Sequence, residues 1–320
     1  MNYGLPYQGS KNRIAKRLVE ALPAAPVLYD VFCGGCAVTH AAMLSGKYQH
    51  FVVNDRRGWL PKAFKTAISG GYAHEDRWIS REDFERLKST DAYAAMCFSF
   101  GNDCQSYMYA RGLEPYKRAL HHAIFWRDFA PWAALCPETA DALAAGLAPI
   151  EDRKQRRVQA GKFIVGSLRV QITAGTLTPD ILDKPIYRQI RRPSQSHQSL
   201  QSLECLERLE RLESLQSLPD TLTAYSMDYR EMRFDKPGII YCDPPYKDTA
   251  DKSKDYADTS FDAEAFYSWC EAQKLPVYIS EYQMPEDRFV CIAKWDKVTT
   301  MAAKTTSHVT ERLWRPRTQV

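Results

Sequence analysis

The sequence predicts an α/β fold, a doubly wound mixed sheet with a mainly helical insert, on the basis of three observations. Short apolar runs alternate with amphipathic segments at both ends of the chain, which is typical of units of strand, helix and strand. Two glycines follow the first apolar run and an aspartate ends the second, as in sheets that bind nucleotides. The long stretch between the two ends has helical and irregular patterns. A chain of 320 residues is long enough for one such domain with an insert.

The predicted elements follow one another in an order that builds this sheet. Residues 1–70 are predicted as helix, strand, helix, strand and helix, with Ser10 capping the first helix and Gly46 closing the second. Alternation returns only after residue 219, with a helix over residues 262–273. The strands are predicted at residues 27–32, 50–54, 221–225, 238–242, 276–279, 289–293 and 312–314. The sheet is therefore expected to be continuous in space and split in sequence.

Three segments divide the chain by composition. Residues 1–70 and 219–320 form the sheet domain, residues 71–198 form the insert, and residues 199–218 connect them. The connector has leucine at every third position, and Glu204 and Glu207 each stand four residues before an arginine. Because a step of three residues turns an α-helix by about 300°, these leucines run round the helix axis. We expect a short low-complexity helix, ended by Pro219, without a catalytic role.

The charge is modest on average and uneven along the chain. A formal net charge of +4 does not by itself indicate binding to nucleic acid. Basic residues nevertheless outnumber acidic ones nine to three in residues 1–70, ten to four in 151–198 and six to two in 289–320. Three such segments on one surface would suit a phosphate backbone, and ordinary solvated faces are the alternative.

Cysteine usage and apolar runs bear on the compartment. The nine cysteines are scattered and odd in number, which does not fit a disulfide framework. No run of about eighteen apolar residues is present, and the first residues lack the apolar stretch of a signal peptide. We therefore expect a soluble cytoplasmic protein without membrane contact.

The most specific motif is Asp243-Pro244-Pro245-Tyr246, which directly follows an apolar run. It stands where a parallel strand ends, and ligands of open α/β sheets bind at such ends. Methylation of an exocyclic amine requires acceptors for both N–H groups, because the nitrogen lone pair is otherwise delocalised into the base ring. The Asp243 carboxylate and the Pro244 carbonyl can accept them, and Tyr246 offers a flat face to an extruded base. The prolines fix the backbone and remove competing donors, and a plain turn is the alternative interpretation.

A second motif covers residues 29–35 and ends on Gly34 and Gly35, where a backbone can approach a cofactor closely. Its glycine spacing is not that of the dinucleotide fingerprint, which disfavours a nicotinamide cofactor. Asp55 ends the second strand, where an acidic residue accepts ribose hydroxyls. The two motifs indicate a ribose-containing cofactor at the ends of the first two strands.

Four segments in this order resemble a known family. Residues 7–11, 30–35, 54–55 and 243–246 are similar to motifs of the Dam-like DNA adenine-N6 methyltransferases, especially phage-type members. The resemblance implies a class I methyltransferase with a Rossmann-like sheet, S-adenosyl-L-methionine as cofactor and double-stranded DNA as substrate. In that family the target-recognition insert lies between the glycine motif and the Asp-Pro-Pro-Tyr strand, as residues 71–198 do here. Family members commonly carry a further glycine where this chain has Cys36.

The resemblance also implies an activity and the residues that perform it. The activity is transfer of a methyl group to N6 of a flipped adenine, without a metal. The catalytic residues would be Asp243, Pro244, Pro245 and Tyr246. The cofactor contacts would be Tyr7 and Lys11 at the methionine moiety, Asp55 at the ribose, Asp228 and Tyr229 beside the adenine, and Asp30, Phe32 and Gly34 along the turn.

Basic residues of the insert are candidates for contacts to DNA phosphates, with plain solvated positions as the alternative. They lie at the start of a helix predicted over residues 151–172 and in a second group near the end of the insert. The candidates are Arg153, Lys154, Arg156, Arg157, Arg188, Arg191 and Arg192.

Three alternatives to adenine methylation stay open from the sequence alone. The amine at cytosine N4 can be activated by the same residues, and a catalytically silent DNA-binding protein can keep the same scaffold. Cys33 and Cys36 form a CxxC pattern between strand and helix, which is typical of thiol oxidoreductases but leaves the other motifs unexplained. A zinc site would need a second pair of ligands, which the spacing of the cysteines and histidines does not offer.

Overall fold

Two compact units divide the chain, whose computed structural model describes residues 2–167, 177–191, 201–215, 221–245, 261–301 and 305–320. The first unit comprises Met1–Ala73 and Leu209–Val320, and the second comprises His74–Arg208. The first unit is therefore split in sequence. Its second segment begins inside the leucine repeat.

Seven strands of the first unit form one mixed sheet. Their bounds are β1 Val27–Asp30, β2 His50–Asn54, β3 Leu222–Tyr225, β4 Gly238–Cys242, β5 Val277–Glu281, β6 Phe289–Met301 and β7 Thr305–Pro316. The strand order is β3-β2-β1-β4-β5-β7-β6. The first five strands in this order are parallel, and β7 is antiparallel to both β5 and β6. The prediction of an α/β, Rossmann-like doubly wound mixed sheet is thus confirmed.

The central strands are continuous apolar runs because they are covered on both faces. Every residue of β1 and β5 is buried, as are the last four residues of β4. Runs of this kind are typical of parallel strands between helices, whereas a strand with one solvated face alternates. Val27, Ile240 and Val277, one from each strand, share a core cluster with Phe266 and Phe289.

Three helices of the first unit precede the insert. They are α1 Ala15–Ala21, α2 Ala37–Ser45 and α3 Trp59–Ile68. The predicted cap at Ser10 makes no side-chain hydrogen bond, because a 3₁₀ turn over Lys11–Arg13 comes before α1. Gly46 ends α2 at φ 69°, a left-handed conformation that glycine adopts without steric cost.

The second unit is helical. Its helices are α4 Arg81–Leu87, α5 Ala92–Cys97, α6 Glu114–Phe125, α7 Ala130–Leu135, α8 Pro137–Leu147, α9 Arg153–Lys162, α10 Pro179–Leu182 and α11 Pro185–Arg191. Ser80, Asp91 and Asp152 each cap a helix, since their side chains accept a hydrogen bond from a backbone N–H of the first turn. Fully buried Trp132 and Tyr187 belong to its core cluster.

The leucine repeat forms a helix, α12, over Gln201–Arg211, followed by a 3₁₀ turn over Leu212–Leu215. Leu206, Leu209, Leu212 and Leu215 are all buried. A 3₁₀ helix has three residues per turn, so Leu212 and Leu215 lie on one face. These four leucines therefore pack into the protein core, while the side chain of Leu203 and all of Leu200 and Leu218 lie outside what the structure describes.

The last helix of the sheet unit is α13, Ala263–Ala272, between β4 and β5. The Asp262 side chain caps it by accepting from the backbone N–H of Ala265. Among the helices that the structure describes, none combines the length and the apolar character needed to cross a membrane.

Candidate active site

The crevice of the sheet lies where its strand order changes direction. Strand β1 lies between β2 and β4. After β1 the sheet grows toward β2 at one edge, and after β4 it grows toward β5 at the other edge. Ligands of open α/β sheets bind at the carboxyl ends of such strands. The glycine turn follows β1 and the Asp-Pro-Pro segment follows β4, which brings both motifs to this crevice.

The turn after β1 is tight and partly left-handed. Gly34 has φ 47° and Cys36 has φ 56°, and the backbone N–H of Cys36 donates to the carbonyl of Cys33 at 2.7 Å. A Cβ at Gly35 would lie 3.0 Å from the Cβ of Tyr7 and 3.1 Å from the carbonyl oxygen of Leu5. A side chain there would have to displace the segment that carries Tyr7 by a few tenths of an ångström, because that segment packs directly on the turn.

The Asp55 carboxylate connects the end of β2 to this turn. Its Oδ2 accepts from the backbone N–H of Gly34 at 2.9 Å, and its Oδ1 accepts from the backbone N–H of Arg57 at 2.9 Å. The Arg57 guanidinium donates to the hydroxyl of Tyr7 at 3.1 Å. Burial raises the pKa of Asp55, and the two backbone hydrogen bonds oppose that shift. A carboxylate has about four acceptor positions, so this group can still accept from hydroxyls.

Asn54 is a residue of the site to which the sequence assigned no role. Its side-chain amide donates to the carbonyls of Val31 at 3.1 Å and Met227 at 3.2 Å, and its Oδ1 accepts from the Met227 N–H at 3.0 Å. It thereby connects the ends of β1 and β2 to the segment after β3. A buried asparagine at the end of an apolar strand is the sequence signal that indicates such a connection.

Asp30 ends β1 and points into the protein. Its side chain is 1% exposed, and its Oδ2 accepts from the hydroxyl of Thr39 at 2.6 Å. Its Oδ1 has no hydrogen-bond partner among the described residues. Burial raises the pKa of Asp30 to about 7, against the Thr39 hydrogen bond, which lowers it. Its contact with a cofactor stays a prediction.

Aromatic side chains form one wall near the turn. The half-buried ring of Phe32 lies 5.3 Å from that of Tyr229, between ring centroids, and 6.0 Å from that of Phe261. Phe266 packs edge-on against Phe32 at 5.6 Å. Such a cluster offers apolar surface to a flat ring system.

Asp228 lies directly before Tyr229, and the Arg230 guanidinium forms an ion pair with the Asp228 carboxylate. The guanidinium donates to Oδ1 at 2.8 Å and to Oδ2 at 2.7 Å. These hydrogen bonds hold the pKa of Asp228 near 2, well below its usual range. A contact between Asp228 and a cofactor adenine stays a prediction, and it would have to use the remaining acceptor positions.

The Asp243 carboxylate receives the ammonium group of Lys11. The distance from Nζ of Lys11 to Oδ1 of Asp243 is 2.7 Å, and the two side chains are 5% and 19% exposed. The resemblance assigns Lys11 to the cofactor, whereas the structure places its ammonium on Asp243. Pro244 is buried and Pro245 exposed, while Tyr246 lies outside the described residues.

Two further carboxylates surround this ion pair, and sequence reasoning missed both. Glu311, on β7, is fully buried, and its Oε1 lies 3.7 Å from Nζ of Lys11. Glu281 ends β5 and accepts the backbone N–H of Tyr282 at 2.7 Å. Burial raises the pKa of Glu281 to about 8, so its side chain is mostly neutral at pH 7. Glu281 closes a mostly apolar strand run, which was the available signal, whereas Glu311 stands among polar residues and had none.

Cys33 and Cys36 are buried thiols inside the turn. Burial raises the pKa of both, and the thiolate is the reactive form of cysteine. This environment is the opposite of the one that activates a thiol oxidoreductase. Within the described ranges, no group of three or more His, Cys, Asp or Glu side chains is arranged to hold a metal ion.

Two candidate DNA-binding arginines of the insert are engaged inside the second unit. Arg156 is 5% exposed, and its guanidinium donates to the carbonyls of Ile124, Ile150 and Glu151 at 2.6 to 2.8 Å. The Arg157 guanidinium lies 2.7 Å from the Glu207 carboxylate. Both side chains stabilise the packing of this unit.

The other candidates are more accessible. Lys154 is exposed, and Arg153 is half-buried with its guanidinium 5.2 Å from the centre of the Phe125 ring. Arg188 forms an exposed ion pair with Asp183 at 3.2 Å. The side chain of Arg191 and all of Arg192 lie outside what the structure describes. Phosphate contacts stay a prediction for these residues.

Comparison with known proteins agrees with this site. Residues 7–100 match the family model of the D12 class N6 adenine-specific DNA methyltransferases. The matched range contains Tyr7, Lys11, the glycine turn and Asp55, and the Asp-Pro-Pro segment lies beyond it. No curated protein matches the chain. Residues 7–100, which carry the glycine turn, are therefore similar to the D12 class of N6 adenine-specific DNA methyltransferases, and the Rossmann-like sheet is the fold expected of such enzymes.

Proposed function

We propose that this chain uses S-adenosylmethionine to methylate N6 of an adenine extruded from double-stranded DNA. In this proposal the Asp243 carboxylate accepts a hydrogen bond from the adenine amine. The proposal rests on the hydrogen bonding of the Asp243 carboxylate at the end of β4. Lys11 occupies its Oδ1, while its Oδ2 accepts no hydrogen bond from the described residues. The site thus combines a fixed carboxylate with one oxygen left for a substrate N–H.

The residues at the ends of β1 and β2 fit S-adenosylmethionine. Asp55 keeps acceptor positions for ribose hydroxyls after its two backbone hydrogen bonds. Phe32 and Tyr229 offer apolar ring surface for the adenine of the cofactor. Gly34, without a side chain, leaves the backbone of the turn open to a ligand.

The chemistry follows from the hydrogen-bond acceptors at the end of β4. The Oδ2 atom of Asp243 and the carbonyl of Pro244 accept the two N6–H groups, which draws the nitrogen lone pair out of conjugation with the ring. When bound, S-adenosylmethionine supplies the methyl group, which the nitrogen takes by in-line displacement as the carbon–sulfur bond breaks. The surplus proton leaves the nitrogen along its hydrogen bond to Oδ2 of Asp243.

The target base has to leave the duplex to reach this crevice. Extrusion costs a few kcal/mol, which stacking and phosphate contacts offset. Lys154, Arg153 and Arg188 are the insert residues that we assign to phosphates, since their side chains reach the surface. Tyr246 is assigned to stacking on the base, from its place in the Asp-Pro-Pro-Tyr motif.

The test compares Asp243→Ala with a matched aspartate variant, Asp235→Ala, whose side chain is exposed ahead of β4. We expect Asp243→Ala to lower tritiated methyl transfer to duplex DNA by about a hundredfold or more, because the amine loses its acceptor. Calorimetry should find S-adenosylmethionine affinity within about twofold of the unmodified chain for both variants. Undiminished methyl transfer by Asp243→Ala would overturn the proposal.

A further inference from the structure

Lys11, Asp243 and Glu311 form a buried charge cluster from three separate elements. Lys11 comes from the 3₁₀ turn before α1, Asp243 from the end of β4, and Glu311 from β7. Nζ of Lys11 lies 2.7 Å from Oδ1 of Asp243 and 3.7 Å from Oε1 of Glu311. The Lys11 and Glu311 side chains are 5% and 0% exposed. Their charges are therefore far less screened than those of surface pairs.

Two carboxyl groups face the ammonium of Lys11 in this cluster. Burial works to lower the pKa of Lys11, but the charges of Asp243 and Glu311 outweigh it and raise that pKa. Glu281 and the Tyr282 phenol also face the cluster, and the pKa of each is raised by burial. At neutral pH these two groups add little charge.

The backbone of Glu311 is rigidly held, whereas the Lys11 side chain is intrinsically flexible. Strand β7 pairs on both sides, with Glu311 opposite Trp295 of β6 and its neighbour Arg312 opposite Glu281 of β5. The Lys11 ammonium stands on a flexible four-carbon side chain, so an ion pair with Asp243 alone would let both groups move together. Glu311, on a strand paired at both edges, holds the ammonium from a second direction.

We propose that Glu311 is a positioning residue for methyl transfer, which acts through Lys11 to hold Oδ1 of Asp243 and to leave Oδ2 directed at the adenine amine. This inference rests on the proposed function. Glu311 itself does not touch the reacting atoms. It fixes the ammonium that holds the Asp243 carboxylate.

The position of Oδ2 matters because it must meet an N–H of the amine while the nitrogen bonds to the methyl carbon. In Glu311→Gln the ammonium is held less firmly, so the Asp243 carboxylate is less well fixed. The chemical step should slow while binding of the cofactor is retained.

The first test is single-turnover methyl transfer to duplex DNA. We expect Glu311→Gln to lower the rate by about tenfold to a hundredfold, with S-adenosylmethionine affinity within about twofold. Glu311→Asp, which keeps the charge on a shorter side chain, should recover part of the rate. The matched control is Glu286→Gln, at an exposed position of the same unit. An unchanged rate in Glu311→Gln overturns the inference, as does Glu311→Asp slowed as much as Glu311→Gln.

The second readout is the pH dependence of that rate. Glu311→Gln removes one of the two charges that raise the Lys11 pKa, so Lys11 loses its proton at lower pH. The alkaline decline of the rate should move to lower pH in Glu311→Gln and stay in place in Glu311→Asp. A general loss of stability would lower the rate without moving this decline. An unmoved decline in Glu311→Gln overturns the inference.

A double-mutant cycle covers the case in which Glu311→Gln folds poorly. In Lys11→Met/Glu311→Gln one basic and one acidic side chain of the cluster are removed together, so the effect of Glu311 can be read in the absence of the Lys11 ammonium. If Glu311 acts only through Lys11, the double variant transfers methyl groups no more slowly than Lys11→Met. A further loss in the double variant overturns the inference.

Retained activity in Asp243→Ala would contradict the proposed function, whereas a fully active Glu311→Gln beside an inactive Asp243→Ala contradicts this inference alone.

Discussion

The ammonium of Lys11 lies 2.7 Å from Oδ1 of Asp243, although the two residues are 232 positions apart in the chain. This ion pair connects the segment before α1 to the end of β4. Because both side chains lie largely out of water, each depends on the other for charge compensation. The folding of the N-terminal segment and the state of the candidate catalytic carboxylate are thus coupled.

Loss of the Lys11 charge should be strongly destabilising. Lys11→Met removes the ammonium that lies against Asp243 and Glu311, and breaking a buried pair in this way costs about 3–5 kcal/mol. Urea unfolding should show this loss. The matched control is Lys16→Met, at a side chain that is 75% exposed and whose ammonium lies 3.9 Å from Glu20. This variant should change stability by less than about 0.5 kcal/mol. Equal stability of the two variants would contradict the account.

Removal of the Asp55 charge should weaken cofactor binding. In Asp55→Asn one carboxylate oxygen becomes an amide nitrogen, which cannot accept the N–H of Gly34 or of Arg57. We expect S-adenosylmethionine affinity, measured by calorimetry, to fall by about tenfold or more. Asp287→Asn, at an exposed position of the same unit, serves as the control. Equal affinities in the two variants would show that Asp55 does not shape the cofactor site.

Asp30 should make the stability of the protein fall between about pH 4 and pH 7. Burial raises its pKa in the folded state from 3.8 to about 7, so over this range the folded chain keeps a proton that the unfolded chain has lost. Stability therefore decreases as pH rises through the window. Asp30→Asn lacks the titration, and between about pH 5 and pH 8 it should gain about 2 kcal/mol relative to the parent. Denaturant unfolding at pH 5 and pH 8 measures the difference in stability between Asp30→Asn and the parent. The control is Asp235→Asn, at an exposed position, for which this difference should be the same at both pH values. The same result for Asp30→Asn would contradict a raised pKa of Asp30.

Cys36 occupies a left-handed position, at φ 56° and ψ 33°, that glycine adopts without strain. Cys36→Gly relieves about 1–2 kcal/mol of strain and loses a buried side chain, so stability should stay within about 1 kcal/mol of the parent. Cys36→Val puts a β-branched residue at the same position and should destabilise by about 1–3 kcal/mol. Thermal unfolding separates the two variants. A more stable valine variant would exclude backbone strain at this turn.

Local sequence patterns were sufficient for the sheet core and the glycine turn. Gly238–Cys242 and His50–Asn54 were predicted with their observed bounds, because buried parallel strands are apolar runs closed by turn residues. The last two strands were predicted too short. β6 extends to Met301, since the polar threonines and lysines of a long antiparallel ribbon do not form an apolar run.

Contacts between distant segments were beyond local patterns. The pairing of Lys11 with Asp243 and Glu311 depends on the strand order, which brings the ends of β4 and β7 together with the N-terminal turn. The role of Arg156 was equally hidden, because a basic helix start has the same sequence whether its arginines face solvent or backbone carbonyls.

The most direct measurement is mass spectrometry of nucleosides from duplex DNA that the protein has modified in the presence of S-adenosylmethionine. We expect N6-methyldeoxyadenosine with the unmodified chain and with Asp235→Ala, and about a hundredfold less or lower still with Asp243→Ala in the same reaction time. N4-methyldeoxycytidine as the product, or the same yield of N6-methyldeoxyadenosine from Asp243→Ala, would contradict the proposed function.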